Sequence, residues 1–321
     1  MKALAIVAVA FTHAGLGPWS PRYSAWDFWL CAVWVNFQVP AFLLVSGFLY
    51  HRGEAIPAGT VRARLVRVLV PYLVACGVAY ALGIAEAGSW GALLFQLATA
   101  STLGIYYFVF LLLLFIPTIW VLSRLSRRSL WALCATLWGW GLVVEIYAYV
   151  FLVGAEGETA PFEGLFWLMR SPLNFTYAMF VTGWLMAAHR EALSHWVGDR
   201  RRAAGAACVA GVLGYLVLGR MAPWLTAGVL RSLYTLAVVA CVVLWTRGRT
   251  APGWVRFLSQ TSLGLYLYHQ MFQVSLQPLV AAWPAPLRIA TVALGGLSAA
   301  AALCLAGRRL LGLRARLVLG A

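Results

Sequence analysis

Of 321 residues, 63% are hydrophobic and only 10% are charged, and the mean hydropathy is +0.85. That balance excludes an ordinary soluble domain and a disordered chain, and it fits a protein whose solvent is largely lipid. The net charge of +15 would suit a nucleic-acid binder, but the 24 basic residues fall between apolar runs and form no continuous face, which excludes that class as well.

Reading each long apolar run as a helix gives spans at 2–16, 27–50, 65–86, 104–123, 130–153, 171–189, 203–219, 227–246, 258–280 and 287–306. The expectation is an all-α, polytopic transmembrane bundle of about ten helices, forming a single domain over 1–321. The first span, MKALAIVAVAFTH, begins with the only lysine, Lys2, and places His13 eleven residues later. At 100° per residue the two lie within about 20° of one another on the same stripe. Without a basic run or a small-residue cleavage site, the segment reads as a permanent helix and not a removable signal.

In the second span Asn36 and Gln38 precede Pro40, whose missing N–H is expected to loosen the helix near mid-membrane and leave room for a polar cavity. The third opens with VRARLVRVLVPY, where Arg64 and Arg67 stand at i and i+3 beside Arg62. Such residues either anchor the span at the interface or offer paired guanidinium forks to a phosphate. Lys2 belongs to the same surface. The ninth span puts Tyr266, Gln270, Gln273 and Gln277 on one helical face, with His269 at its border. A face of that kind is expected to line a cavity opening outward.

Ionisable groups at membrane depth usually face a protein interior or a wet cavity. At 1.5 Å per residue, His13 and His269 each lie about 16 Å into their spans and Glu145 about 22 Å into the fifth. These depths nearly coincide, which suits a histidine base with a carboxylate to steady its imidazolium. Glu145 could equally pair with Arg170 or Arg231 for packing alone. The six cysteines fall one to a span, with no metal-binding cluster, and are expected to be free thiols.

Alternate connections divide the basic residues unequally. Five of the 24, Arg22, Arg170, Arg220, Arg231 and Arg288, fall on one side and the other 19 on the opposite side. The positive-inside rule then puts both termini in the cytoplasm.

Four stretches together resemble the acyltransferase 3 family of integral-membrane acyltransferases. They are Lys2 with His13, the segment VPAFLLVSGFLY, the pair Arg64 and Arg67 followed by Pro71 and Tyr72, and the segment LSQTSLGLYLYHQ. The resemblance implies O-acylation of a cell-surface glycan, a lipid-linked sugar or a secreted metabolite, with acyl-CoA, acetyl-CoA in the simplest case, as cytoplasmic co-substrate. It implies that transfer depends on His13 and that Lys2, Arg64 and Arg67 engage the donor's phosphates; the depth of Glu145 adds it in support of His13, and the position of Arg62 adds it to the donor site. Asn36, Gln38, Tyr266, His269, Gln270 and Gln273 are expected to line the acceptor cavity. No metal and no tightly bound cofactor is expected. Arginine, alanine and glycine in place of lysine point to a GC-rich bacterial source, and the location is then the cytoplasmic membrane. The rival from another class is a multi-pass transporter or flippase, which also needs polar cavities and broken helices. A second enzymatic rival, the other large class of membrane-bound O-acyltransferases, would make His269 the essential base.

Overall fold

The computed structural model describes residues 1–16, 20–148, 175–199, 201–221, 228–246 and 248–321, and all regular elements among them are helical. The helices are α1 (Lys2–Ala14), α2 (Ala25–Phe28), α3 (Gln38–Tyr50), α4 (Ala58–Ala81), α5 (Trp90–Thr99), α6 (Tyr107–Leu122), α7 (Arg127–Ala148), α8 (Phe175–Ala188), α9 (Arg190–Asp199), α10 (Arg201–Met221), α11 (Gly228–Thr246), α12 (Gly253–Gln260), α13 (Ser262–Leu276), α14 (Ala285–Leu311) and α15 (Ala315–Val318).

Among the described residues four helical segments, Ala58–Ala81, Gly104–Leu122, Gly228–Thr246 and Ala285–Val318, are long and apolar enough to cross a bilayer. Other expected spans are shorter. A 13-residue helix such as α1 covers about 20 Å against a hydrocarbon core of about 30 Å. Trp90, Leu94, Trp131, Leu213 and Trp245 stand exposed, as lipid-facing side chains do.

Two compact units divide the chain. One comprises Met1–Val39, Ala58–Ile116 and Gly248–Ala321; the other comprises Pro40–Pro57 and Pro117–Arg247. In the first, α1 packs on α12, α13 and α14, and α13 packs on α4 and α14. The buried face of α1 is Ala3, Ala5, Ile6, Ala8, Val9, Ala10 and Ala14, small side chains that let neighbouring helices come close. Tyr72, on α4, is buried against Tyr106 at a centroid distance of 5.6 Å and donates its hydroxyl to Leu97 O at 2.9 Å. Tyr106 in turn donates to Leu267 O on α13 at 2.8 Å. The Pro-Tyr of the third span is thus a packing device.

In the second unit α3 and α8 cross backbone to backbone. A Cβ added at Gly47 would lie 1.9 Å from Phe180 O, and one added at Gly183 would lie 1.9 Å from Leu44 O. Trp138 on α7 donates to Thr182 Oγ1 on α8 at 3.0 Å, and Tyr215 and Tyr234 stack at 4.1 Å between α10 and α11.

The second expected span is not one helix. It begins as α2, passes through a π-helical turn over Trp29–Val33 and a turn at 34–37, and resumes as α3. Pro40 is the third residue of α3, where its missing N–H costs no helical hydrogen bond, so it starts a helix and does not kink one. The ninth span likewise divides at Thr261, whose hydroxyl donates to Phe257 O at 2.8 Å and closes α12.

Candidate active site

His13 sits in the last turn of α1, and the chain leaves that helix at Gly15. One connection fixes this end. The amide of Leu16 donates to Asp27 Oδ1 at 2.8 Å, and the same carboxylate accepts from Arg288 Nη2 at 2.8 and 3.0 Å, from Ser24 N at 3.0 Å and from Ser24 Oγ at 2.6 Å. Asp27 and Arg288 are 1% and 4% exposed, so the pair is a buried ion pair whose carboxylate has its lone pairs well used. It ties the end of α1 to α2 and α14 through Leu16, three residues beyond His13.

His13 is half-buried as a residue, and its imidazole faces that of His269 on α13 at a centroid distance of 5.9 Å and an angle of 48°. His269 is fully buried. Its Nδ1 lies 3.0 Å from Leu265 O and 2.9 Å from Tyr266 O. Both neighbours are acceptors, so in the neutral ring Nδ1 carries the hydrogen and Nε2 keeps a lone pair. That Nε2 is buried with no hydrogen-bond partner among the described residues, as are Gln270 Oε1 and Gln273 Oε1.

The polar groups around the two rings are held from both sides. Gln273 donates through Nε2 to Ala10 O on α1 at 2.7 Å. Gln38 is hydrogen-bonded to Thr12 at 3.0 Å; with its amide turned so that the oxygen accepts from the Thr12 hydroxyl, its nitrogen donates to Val35 O at 2.7 Å and Asn36 O at 3.2 Å. Tyr266 packs 5.3 Å from Phe108 and 6.1 Å from His269. Gly296 on α14 makes the space: a Cβ there would meet Gln273 Cγ at 2.4 Å and His269 O at 2.9 Å.

The structure therefore brings together His13, His269, Gln273, Tyr266 and Gln38, drawn from the first, second and ninth expected spans. The expected polar face is partly sealed: Tyr266 and Gln273 are buried, while Gln270 and Gln277 are half-buried. Gln277 lines a cleft of about 270 Å³ together with Arg22 and Arg288. Glu145 belongs to α7, but its side chain lies outside the described residues, as does Arg170. His13 and His269 stand together with no described carboxylate between them, and among the described residues no cluster of His, Cys, Asp and Glu could hold a metal ion.

The profile of a family described as an acyltransferase domain matches residues 1–307. The chain belongs to the acyltransferase 3 family. No curated protein and no solved structure gives a significant match. For this acyltransferase, then, the two-histidine centre lies within the matched region, and so does the basic start of α4. Arg64 there is half-buried, and Arg62 and Arg67 are exposed. The helix begins at Ala58, seven residues before the expected start, so all three arginines ride on a formed helix. Lys2 heads α1, at the opposite end of that helix from His13.

Sequence reasoning missed Asp27 and Arg288. The available signal was an acid at the edge of an apolar run and an arginine just inside another, both of which need a partner at membrane depth.

Proposed function

We propose that this acyltransferase moves an acyl group, acetyl in the simplest case, from cytoplasmic acyl-CoA to a hydroxyl of an extracytoplasmic or membrane-associated acceptor, a glycan or another sugar-containing molecule. The observation that carries this reading is the His13–His269 pair, with an unpartnered buried acceptor nitrogen on one of two facing imidazoles. Three buried acceptor atoms without partners, His269 Nε2, Gln270 Oε1 and Gln273 Oε1, favour a ligand that donates hydrogen bonds, and a sugar hydroxyl does so.

In the proposed step His13 takes the proton of the acceptor hydroxyl as its oxygen attacks the thioester carbonyl. The carbon–sulfur bond breaks, the ester forms, and the proton passes from His13 to the leaving CoA thiolate. Glu145 or a backbone dipole is the proposed group that steadies the charged imidazole. His269, its tautomer fixed by two carbonyls of α13, offers its free Nε2 to the acceptor molecule. Lys2, Arg62, Arg64 and Arg67 engage the donor phosphates, and neither metal nor bound cofactor is required. Proton transfer by a placed imidazole is worth roughly 10²- to 10⁴-fold, and holding donor and acceptor together supplies much of the remainder.

The test uses purified protein with labelled acetyl-CoA, following both free CoA thiol and labelled acceptor. His13→Ala is expected to lose about 10²- to 10⁴-fold in turnover, whereas His269→Gln, which keeps a polar side chain, loses less. The reverse ranking would transfer the role of base to His269, and thiol release unaffected by His13→Ala would sink the proposal.

A further inference from the structure

The second unit holds a cleft of about 590 Å³ whose residues are given no part in the proposed reaction. It is bounded by the end of α3, the start of α7 and the junction of α8 with α9. Its polar wall is His51, Arg52, Arg127, His189, Arg190 and Glu191. Among the described residues none of the three guanidiniums has an ion-pair partner. Three guanidiniums gathered about one concavity with a single carboxylate, Glu191, leave a net positive charge there that an anionic ligand would neutralise. A nearby arginine shows the contrast. Arg124 donates to Trp120 O at 2.6 Å and Ile56 O at 3.3 Å and lies 4.0 Å over the Trp120 ring, so its capacity is taken up internally.

The two imidazoles are held in place by tryptophans. His51 meets Trp184 edge-on at 5.2 Å, and His189 packs against Trp131 at 5.8 Å. His189 Nε2 is buried with no hydrogen-bond partner among the described residues. A second cleft of about 230 Å³ shares His51 and Arg127 with the first. The lining also has an apolar part, with Phe48 and Leu49 exposed at 38% and 53%.

We propose that this cleft is a phosphate site for an amphiphilic ligand, whose phosphate is gripped by Arg52, Arg127 and Arg190 while its apolar part lies along Phe48 and Leu49. Guanidinium forks match phosphate oxygens in pairs, and three of them exceed what a single carboxylate can satisfy. The cleft is of the size that takes a small organic ligand. Two sources share this chemistry: the phosphorylated nucleotide of coenzyme A and the headgroup of an anionic phospholipid. The proposal does not rest on the role of His13 and is read by binding, so its failure would leave the catalytic reading untouched.

The full-length protein in a neutral detergent is titrated with coenzyme A, with short-chain phosphatidylglycerol and with phosphatidylcholine of the same chains, followed by native mass spectrometry and thermal shift. In the variant Arg127→Gln/Arg190→Gln, either coenzyme A or phosphatidylglycerol is expected to bind at least tenfold more weakly, and the one affected identifies the source. A control variant, Arg309→Gln/Arg314→Gln, removes the same charge from the first unit and should bind as the wild type does. Affinities for both phosphate ligands within twofold of wild type in the cleft variant, or equal weakening in the control, would overturn the proposal. All three cleft arginines are exposed; should the double variant not remain monodisperse, Arg52→Gln repeats the test with the same criteria.

Discussion

Asp27 shows how one residue can govern a site that it does not touch. Its carboxylate binds the amide of Leu16, three residues beyond His13, and the guanidinium of Arg288. Removing one member of a buried pair strands the other charge, at a cost of about 3–5 kcal/mol. Asp27→Asn should therefore lower the thermal unfolding midpoint sharply, and Asp27→Asn/Arg288→Gln should recover part of the loss; a midpoint unchanged in the single variant would mean that the pair carries no net stability. A second prediction concerns His51, outside the spans. Burial, and then the positive charge of Arg190, hold its ring below the ordinary value of 6.5. The unfolded chain therefore binds more protons than the folded one just below pH 6.5, and His51 makes stability fall as pH drops through that value. His51→Gln should shrink the difference in unfolding midpoint between pH 7.5 and 5.5, and an identical pH response in both proteins would contradict the assignment. His13 and His269 were readable from the sequence because an ionisable group inside an apolar run stands out. Their facing orientation was not, since it depends on Gly296 and on two carbonyls of α13 that no periodicity displays.

Among elements, the crossing of α3 and α8 is the tightest contact and the most easily tested. Gly183→Ala places a methyl where Leu44 O already lies, so the two backbones must separate, whereas Gly205 on α10 has nothing within 4 Å of its missing Cβ. Overpacking at such a point costs about 1–3 kcal/mol, while alanine for glycine in an open helix gains roughly 0.5–1 kcal/mol. Gly183→Ala should thus lower the unfolding midpoint and Gly205→Ala hold or raise it; equal behaviour would show that the crossing is looser than its geometry. Long apolar runs made α4, α6, α11 and α14 legible, because a span needs length and little else. Breaks were harder to see. Pro40 reads the same at a kink as at a helix start, and only its place as the third residue of α3, after the turn at 34–37, reveals which applies. Helix α5 escaped notice because its ten residues are too few for a span, although Ser89 caps it by accepting from Ala92 N at 3.1 Å.

At the scale of the molecule, orientation follows from charge and can be argued from one end of the first unit. Helix α14 carries Arg308 and Arg309 in its last turn. The tail that follows returns to the start of α13, where Gly264 N donates to Gly320 O at 3.1 Å. The basic end of α14, the tail with Arg314 and Arg316, and the beginning of α13 therefore share one end of that unit. At the other end of these two helices the connection passes through Ala281, whose carbonyl accepts from Arg22 at 2.9 Å. Lysine and arginine near span ends favour the cytoplasmic side, so the end bearing the tail is the proposed inner one. A fluorescent protein fused after Ala321 should fold and fluoresce, and alkaline phosphatase at the same place should be inactive. Phosphatase inserted after Trp283, between α13 and α14, should be active. The opposite pair of results would turn the helices over, place Arg62, Arg64 and Arg67 away from the coenzyme pool, and remove the basis for assigning them to the donor.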